Sequence, residues 1–255
     1  MTTMESVPEV RHAAGPVRLT LIELRKLADT RSGLWLLIVI ALAAAGTVAI
    51  QLGFAPDDEQ TFRSFFLFAT LPSAVLLPVL GILSMTGEWS QRTALTTFTL
   101  VPARGRVIGA KVAAGVAVAV AATAVTAVLA AAGNLVGAGL GGNGDWSIGG
   151  ALLAQTLLAQ VLSMLMGLGF GGLLMNSALA IVVYFALPTL WSVLGATIKG
   201  LKDVAAWLDL NAASTPLTEG SLTGGQWARL GVATAVWVLA PLVLGTMRAF
   251  RREVA

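Results

Sequence analysis

Long uncharged apolar runs alternate with short polar stretches along the chain. Six runs, at about 33–53, 64–86, 108–132, 151–174, 178–198 and 230–247, approach or exceed the 20 or so residues a helix needs to cross the hydrocarbon core of a bilayer. Only Met175-Asn176-Ser177 offers a turn between the fourth and fifth. The pattern predicts an all-α membrane protein with six transmembrane helices, forming a single transmembrane domain over residues 16–255. Residues 1–15 show no periodicity and are expected to be a mobile tail.

Three polar stretches carry their own pattern. In 16–31, Val17, Leu21, Leu24 and Ala28 recur at helical spacing among Arg18, Arg25, Lys26 and Asp29. This predicts an N-terminal amphipathic interfacial helix, lying along the inner membrane face with those four residues as its apolar side. The stretch from Gly87 to Lys111 is too long and too mixed for a simple turn. Leu95, Phe98, Leu100 and Val101 would form one side of a short helix that Pro102 and Gly105 end, a cytoplasmic helix between spans two and three placed to dock with a soluble partner, and the alternative of a simple positive-inside anchor stays open. Outside, the glycines between Gly133 and Gly150 predict a flexible loop. In 201–208, Leu201, Val204 and Leu208 share a side next to Trp207, which suits a small helix on the outer interface or a lid over an outward opening, and both readings stay open. Ala41-Leu42-Ala43 mimics a signal-peptide cleavage site, but the first run is long and follows a leader of about thirty residues, so a retained span is expected.

Composition fixes the solvent and removes several chemistries. The 255 residues are 56% hydrophobic and 11% charged, against about a quarter charged in soluble domains. There is no cysteine, and His12 is the one histidine, which argues against disulfides, zinc–thiolate sites and paired-histidine ligation. The net charge of +3 reports topology rather than nucleic-acid binding, since the basic residues flank apolar runs. With the N-terminus inside, Arg11, Arg18, Arg25, Lys26, Arg31, Arg92, Arg104, Arg106, Lys111, Arg248, Arg251 and Arg252 fall on the inner side. Only Arg63, Lys199, Lys202 and Arg229 fall outside. The positive-inside rule then predicts both termini in the cytoplasm.

No Lys, Arg, Asp or Glu falls in the middle of a predicted span, which disfavours a proton-coupled carrier. Gln51, Asn134, Gln155 and Gln160 are read as helix-to-helix hydrogen-bonding groups. Gly167, Gly169 and Gly172 satisfy a G-x-G-x-x-G spacing but lie between two apolar helices, so they are read as a close helix contact rather than a dinucleotide site. No phosphate-binding loop occurs, so the chain is not expected to be an ATPase. Intramembrane carboxylates are lacking too, so it is not expected to be a protease. Pro72, Pro78, Pro188 and Pro241 lie in the second, fifth and sixth spans and would kink them for packing or hinging.

Glu23-Leu24-Arg25-Lys26-Leu27 and Thr30-Arg31-Ser32 before the first span, together with Glu88, Thr93, Pro102, Arg104 and Lys111 around the inner loop, resemble the permease subunits of type-2 ATP-binding-cassette exporters. The similarity is to the compact six-span form common in actinobacteria. In that family a Glu begins the coupling helix, a Thr follows four to five positions on, a Pro precedes an Arg, and a Lys stands at the third span. One departure is Arg92, where the family usually has Gly. The resemblance implies a partner ATPase in the cytoplasm that holds the Mg-ATP, no cofactor on this chain, and a second permease copy, identical or similar. It implies ATPase contacts at Glu88, Trp89, Arg92, Thr93, Pro102 and Arg104. It also implies a path at the permease interface lined by the second and fifth spans. Phe65, Phe66, Phe68, Tyr184, Phe185 and Trp191 would give that path an apolar and aromatic wall for an amphipathic or hydrophobic substrate. The competing expectation is a non-transport assembly or sensor-associated membrane protein that binds a soluble partner through the same loop.

Overall fold

The computed structural model describes residues 15–90 and 104–251, and every element among them is helical. The main helices are α1 (Pro16–Asp29), α2 (Arg31–Phe54), α3 (Phe62–Ser90), α4 (Arg104–Gly139), α5 (Gly150–Leu174), α6 (Ser177–Thr197), α7 (Lys202–Leu208), α8 (Leu210–Ser214) and α9 (Gly224–Arg251). Six of these, α2 to α6 and α9, are long and apolar enough to cross a membrane, one for each predicted run. Large side chains such as Trp35, Leu42, Ile50, Val128 and Val182 are more than 60% exposed on their flanks. Such a surface belongs in hydrocarbon rather than water, as expected for a multi-pass membrane protein.

The connections sort the helix ends into two groups. At one end, Asn143 N–H donates to Asp57 O (2.8 Å), Gly144 N–H to Gln60 O (3.1 Å) and Phe62 N–H to Asp145 O (2.9 Å), so the segment after α2 and the one after α4 lie side by side. At the opposite end, the turn between α5 and α6 meets the end of α9 through Arg248, which donates to Leu173 O. The two-residue turn closes because Met175 takes a left-handed φ of 52° and Asn176 caps α6, its Oδ1 accepting from Leu179 N–H at 3.0 Å. The alternation matches six crossings, with α1, the Glu88 end of α3 and the Arg104 end of α4 on the same side as this turn.

One sequence-based expectation needs correction. Helix α4 runs on to Gly139, so the flexible loop expected from Gly133 is confined to 140–149 and is itself hydrogen-bonded to 57–60. Gly133 and Gly137 are there for packing, since a Cβ on them would meet Val48 Cγ1 at 2.5 Å and Gln60 Oε1 at 2.9 Å. In α1, the residues packed on the protein are Leu19, Glu23 and Leu27, and Val17 and Leu21 face outward at 72% and 54% exposure. The predicted apolar side of Val17, Leu21, Leu24 and Ala28 is thus mostly turned away from the bundle. Thr30 ends α1, its N–H donating to Lys26 O, and begins α2, its Oγ1 accepting from Gly33 N–H at 3.2 Å. One residue therefore fixes α1 to the first span.

Helix α5 is the centre of the bundle, and its glycines face two neighbours. A Cβ on Gly167 would lie 2.2 Å from Pro78 O of α3, and one on Gly169 would lie 2.9 Å from Leu242 N of α9. Gly245 of α9 returns the contact, 2.8 Å from Leu173 N. Without a hydrophobic drive between membrane helices, close backbone approach supplies the packing energy, and the G-x-G-x-x-G spacing is the imprint of two such contacts. Pro241 follows closely on a π turn, Ala235–Leu239, where Ala240 N–H donates to Ala235 O, so the helix widens just before the residue that has no N–H to donate.

Gly167→Ala is expected to cost about 1–3 kcal/mol through forced separation of α3 and α5. Gly46→Ala in α2, where a Cβ meets nothing within 4 Å, should be neutral or stabilising. Unfolding midpoints in mixed detergent micelles measure both.

Candidate functional site

The most ionic part of the interior is built by three helices on the side of α1. Glu23 and Lys26 stand one turn apart on α1, Glu88 sits near the end of α3, and Lys111 lies two turns into α4. Lys26 Nζ is 2.7 Å from Glu23 Oε1 and 2.8 Å from Glu88 Oε1. Lys111 Nζ is 2.7 Å from Glu23 Oε2 and 3.2 Å from Glu88 Oε1. The four groups alternate in sign, each cation bridging both carboxylates. Side-chain exposure is 5% for Glu23 and Lys111, 10% for Glu88 and 40% for Lys26. Lys111 also donates to Ser84 O at 3.2 Å. Buried charge is tolerated only when paired and hydrogen-bonded, and here two carboxylates balance two ammonium groups.

Burial alone would lower the Lys26 pKa. Hydrogen bonds to Glu23 and Glu88 and their negative charges outweigh it, and the ammonium is held above the ordinary lysine value.

The same region carries the stems of the inner loop. Arg104, the first residue of α4, donates to Ala249 O (2.8 Å) and Phe250 O (3.2 Å), placing a cation on the carbonyl end of α9. Thr86 Oγ1, one turn before the end of α3, donates to Ile82 O and shares a 2.7 Å hydrogen bond with Ser177 Oγ of α6. Of the residues predicted to contact a partner, Glu88 and Arg104 stand at the two stems, and Trp89 lies in the last turn of α3. Arg92, Thr93 and Pro102, with the expected coupling helix, lie outside the described residues. Glu23, Lys26 and Lys111 join the site although they figured in the sequence only as parts of the resembling motifs and not as partner contacts.

On the opposite half of the bundle, α3, α5 and α6 line a half-open cavity of about 540 Å³. Its outer wall is α8 and the following turn, Leu210 to Thr218, rather than the 201–208 segment that the sequence offered as a lid. Helix α7 lies outside the lining, with Trp207 44% exposed beneath Arg229 at 6.0 Å. The wall segment is tied down by Asp209, whose Oδ1 accepts from Ser192 Oγ of α6 (2.8 Å) and from Ala212 N–H (3.1 Å). Trp237 Nε1 adds a bond to Leu208 O.

The aromatic residues predicted to line a path separate. Phe68 and Tyr184 line the cavity. Phe185 packs edge-on against Tyr184 at 4.8 Å and is partly exposed. Trp191 is half-buried beside the Leu217 and Trp237 core, its indole N–H unpartnered. Phe65 and Phe66 are fully buried elsewhere, with Val48 of α2 and Ala130 of α4. Helical geometry explains the division: Phe65 and Phe68 are three residues apart, yet the intervening rotation aims them at different neighbours. Among the described residues, no three His, Asp or Glu side chains converge as a metal site would require.

No protein-family model matches the chain, and no match is found among curated proteins.

Removing Lys111 alone leaves two carboxylates facing the half-exposed Lys26. Lys111→Met is expected to cost about 3–5 kcal/mol, whereas Glu23→Leu with Lys111→Met, which removes a neutral pair, should cost clearly less than the two single changes together. A double-mutant cycle of micellar unfolding measures the coupling. A raised lysine pKa adds stability that is complete below about pH 10.4 and is lost as pH rises through the folded value. Wild-type melting temperature should therefore fall more steeply above that pH than that of Lys26→Met, with no difference in slope near neutrality.

Proposed function

We propose that this chain is the transmembrane permease subunit of an ATP-driven exporter of the type-2 ATP-binding-cassette class. Two permeases would pair, each served by a separate cytoplasmic ATPase, and move an amphipathic or hydrophobic substrate across the plasma membrane. The observation that carries the reading is the anchoring of both stems of the Ser90-to-Arg104 loop. Glu88 and Lys111 join α3 and α4 to α1 through buried ion pairs, and Arg104 joins α4 to α9. A push on such a loop moves four helices together, whereas a loop that served only as a charged anchor would need no buried pairing. The absence of midspan charge from the sequence agrees with energy supplied from outside the bilayer.

The remaining geometry fits the same frame. The end bearing Glu88, Arg104 and Arg248 carries most of the basic residues, which supports a cytoplasmic position for it. Outward-facing Val17, Leu21 and Ile22 would then rest in the inner interface, giving α1 the amphipathic role expected of it. Exposed Leu71 and Val75 of α3, with Leu179 and Val182 of α6, are available to the second permease copy.

The test is co-purification with an ATPase expressed alongside the chain, followed by ATPase assays in nanodiscs. Glu88→Gln and Arg104→Glu should each lower permease-stimulated ATP hydrolysis at least tenfold while the permease stays monodisperse. Full stimulation in both variants would remove the coupling role, and failure of any ATPase to associate would favour a non-transport membrane protein.

A further inference from the structure

The side of α1 that the bundle leaves uncovered carries unpaired charge as well as apolar side chains. At about 100° per residue, Val17, Arg18, Leu21, Ile22, Arg25 and Ala28 fall on one half of the helix, and all six are exposed. Leu19, Glu23 and Leu27 occupy the other half and are buried. Arg18 and Arg25 stand two turns apart in the middle of the open half, with Val17 and Leu21 to one side and Ile22 to the other.

The carboxylates of the region do not serve these arginines. Glu23 and Glu88 are paired with Lys26 and Lys111 in the ion cluster. Asp29 shares the open half but forms no ion pair with Arg18 or Arg25, and Arg31, exposed at the start of α2, has no carboxylate partner among the described residues. Three arginines against one aspartate leave the open side of α1 and its junction with α2 in excess of positive charge.

The depth of this surface follows from its contacts. The opposite half of α1 meets Glu88 in the last turn of α3 and Lys111 two turns into α4, so α1 lies level with the ends of the spans, where hydrocarbon gives way to headgroups. Thr30 joins it directly to α2, whose Trp35 is exposed one turn further in, at the level tryptophan favours. A surface bathed by water has no use for Val17, Leu21 and Ile22 beside its charges. One immersed in hydrocarbon would exclude unpaired arginines. The zone between accepts both, because an arginine stem lies along apolar surface while its guanidinium reaches a phosphate.

We propose that α1 binds anionic phospholipid, with Arg18 and Arg25 taking the headgroup phosphates and Val17, Leu21 and Ile22 entering the upper acyl region. An acidic soluble partner would match the charge but not the apolar side chains that alternate with it. The inference rests on the inner membrane position of α1 given above and not on an ATPase. It is measured on this chain alone, so failure of ATPase pairing would leave it standing.

The chain has no cysteine, so Ile22→Cys supplies a single attachment point for a fluorophore on this surface. The full chain is placed in nanodiscs of phosphatidylcholine and phosphatidylglycerol, each lipid is spin-labelled in turn near the top of its acyl chain, and quenching is compared at equal mole fraction. Phosphatidylglycerol is expected to be enriched about threefold or more beside the label, the scale that two arginines at a membrane surface supply. Raised salt should weaken the preference. Arg18→Gln with Arg25→Gln should remove most of it, and a label at Val128→Cys on the exposed flank of α4 should show none. Equal quenching by the two lipids at residue 22, or a preference untouched by the double substitution, would overturn the proposal and leave the arginines to an acidic segment of a soluble partner. Native mass spectrometry of the unlabelled chain repeats the comparison without the cysteine. Phosphatidylglycerol should be retained in excess over phosphatidylcholine, the excess should fall in the double Gln variant, and an unchanged excess would likewise overturn the proposal.

Discussion

Four charges packed between α1, α3 and α4, three of them buried, hold together the end of the bundle from which the 91–103 loop emerges. A helix such as α1, which crosses nothing, has few ways to stay attached to spans whose outer surfaces are lipid-like. Leu19 and Leu27 give it some apolar contact, but the chain commits Glu23 and Lys26 to the same face, against Glu88 and Lys111. The geometry suits the purpose, because each ammonium touches both carboxylates and no charge is left alone. Such a cluster stabilises little relative to an apolar core of equal volume, but any rearrangement that separates its members is heavily penalised. Its effect is to fix position.

That positional constraint reaches the other end of the molecule through packing. Helix α3 runs continuously from the cavity, where Leu67 and Ala74 lie, to Glu88 in the ion cluster. Along the way the backbone contact between Pro78 and Gly167 presses it against α5, and Gly169 and Gly245 press α5 against α9. Contacts of this kind have no compliant side chain between the helices, so α3, α5 and α9 shift together or part altogether. A cavity bounded by α3 and α5 is therefore mechanically connected to the stems of the inner loop, although no polar network runs between them.

The spans were legible because uncharged runs of this length have few alternatives, and the glycine spacing was legible as packing because no strand or acidic residue accompanied it. What escaped was decided by partners distant in sequence. Gly133 and Gly137 read as loop residues until Val48 and Gln60 occupied the space their missing side chains leave. The apolar side of α1 was found by periodicity, yet periodicity does not tell lipid from protein, and the bundle took the side bearing Glu23. The ion cluster combines residues 23, 26, 88 and 111, and although Glu88 and Lys111 stood out as motif residues, their pairing with α1 had no signature along the chain. Phe65 and Phe68 seemed equivalent in an aromatic run, and the rotation along α3 sent one into the core and the other to the cavity.

Charge is distributed in a way that separates two tasks. The ion cluster is confined to one end of the bundle, where a soluble partner would reach the adjoining loop, and the cavity wall on the other half is uncharged. A carrier driven by an ion gradient would place an ionisable group beside its substrate, so that protonation and binding compete directly. Here the groups that can change charge and the groups that line the cavity share only the helices between them. On the proposed function, energy that alters the cavity would arrive as motion of α3 and α5, and the helix ends to receive it would be those held by Glu88, Lys111 and Arg104.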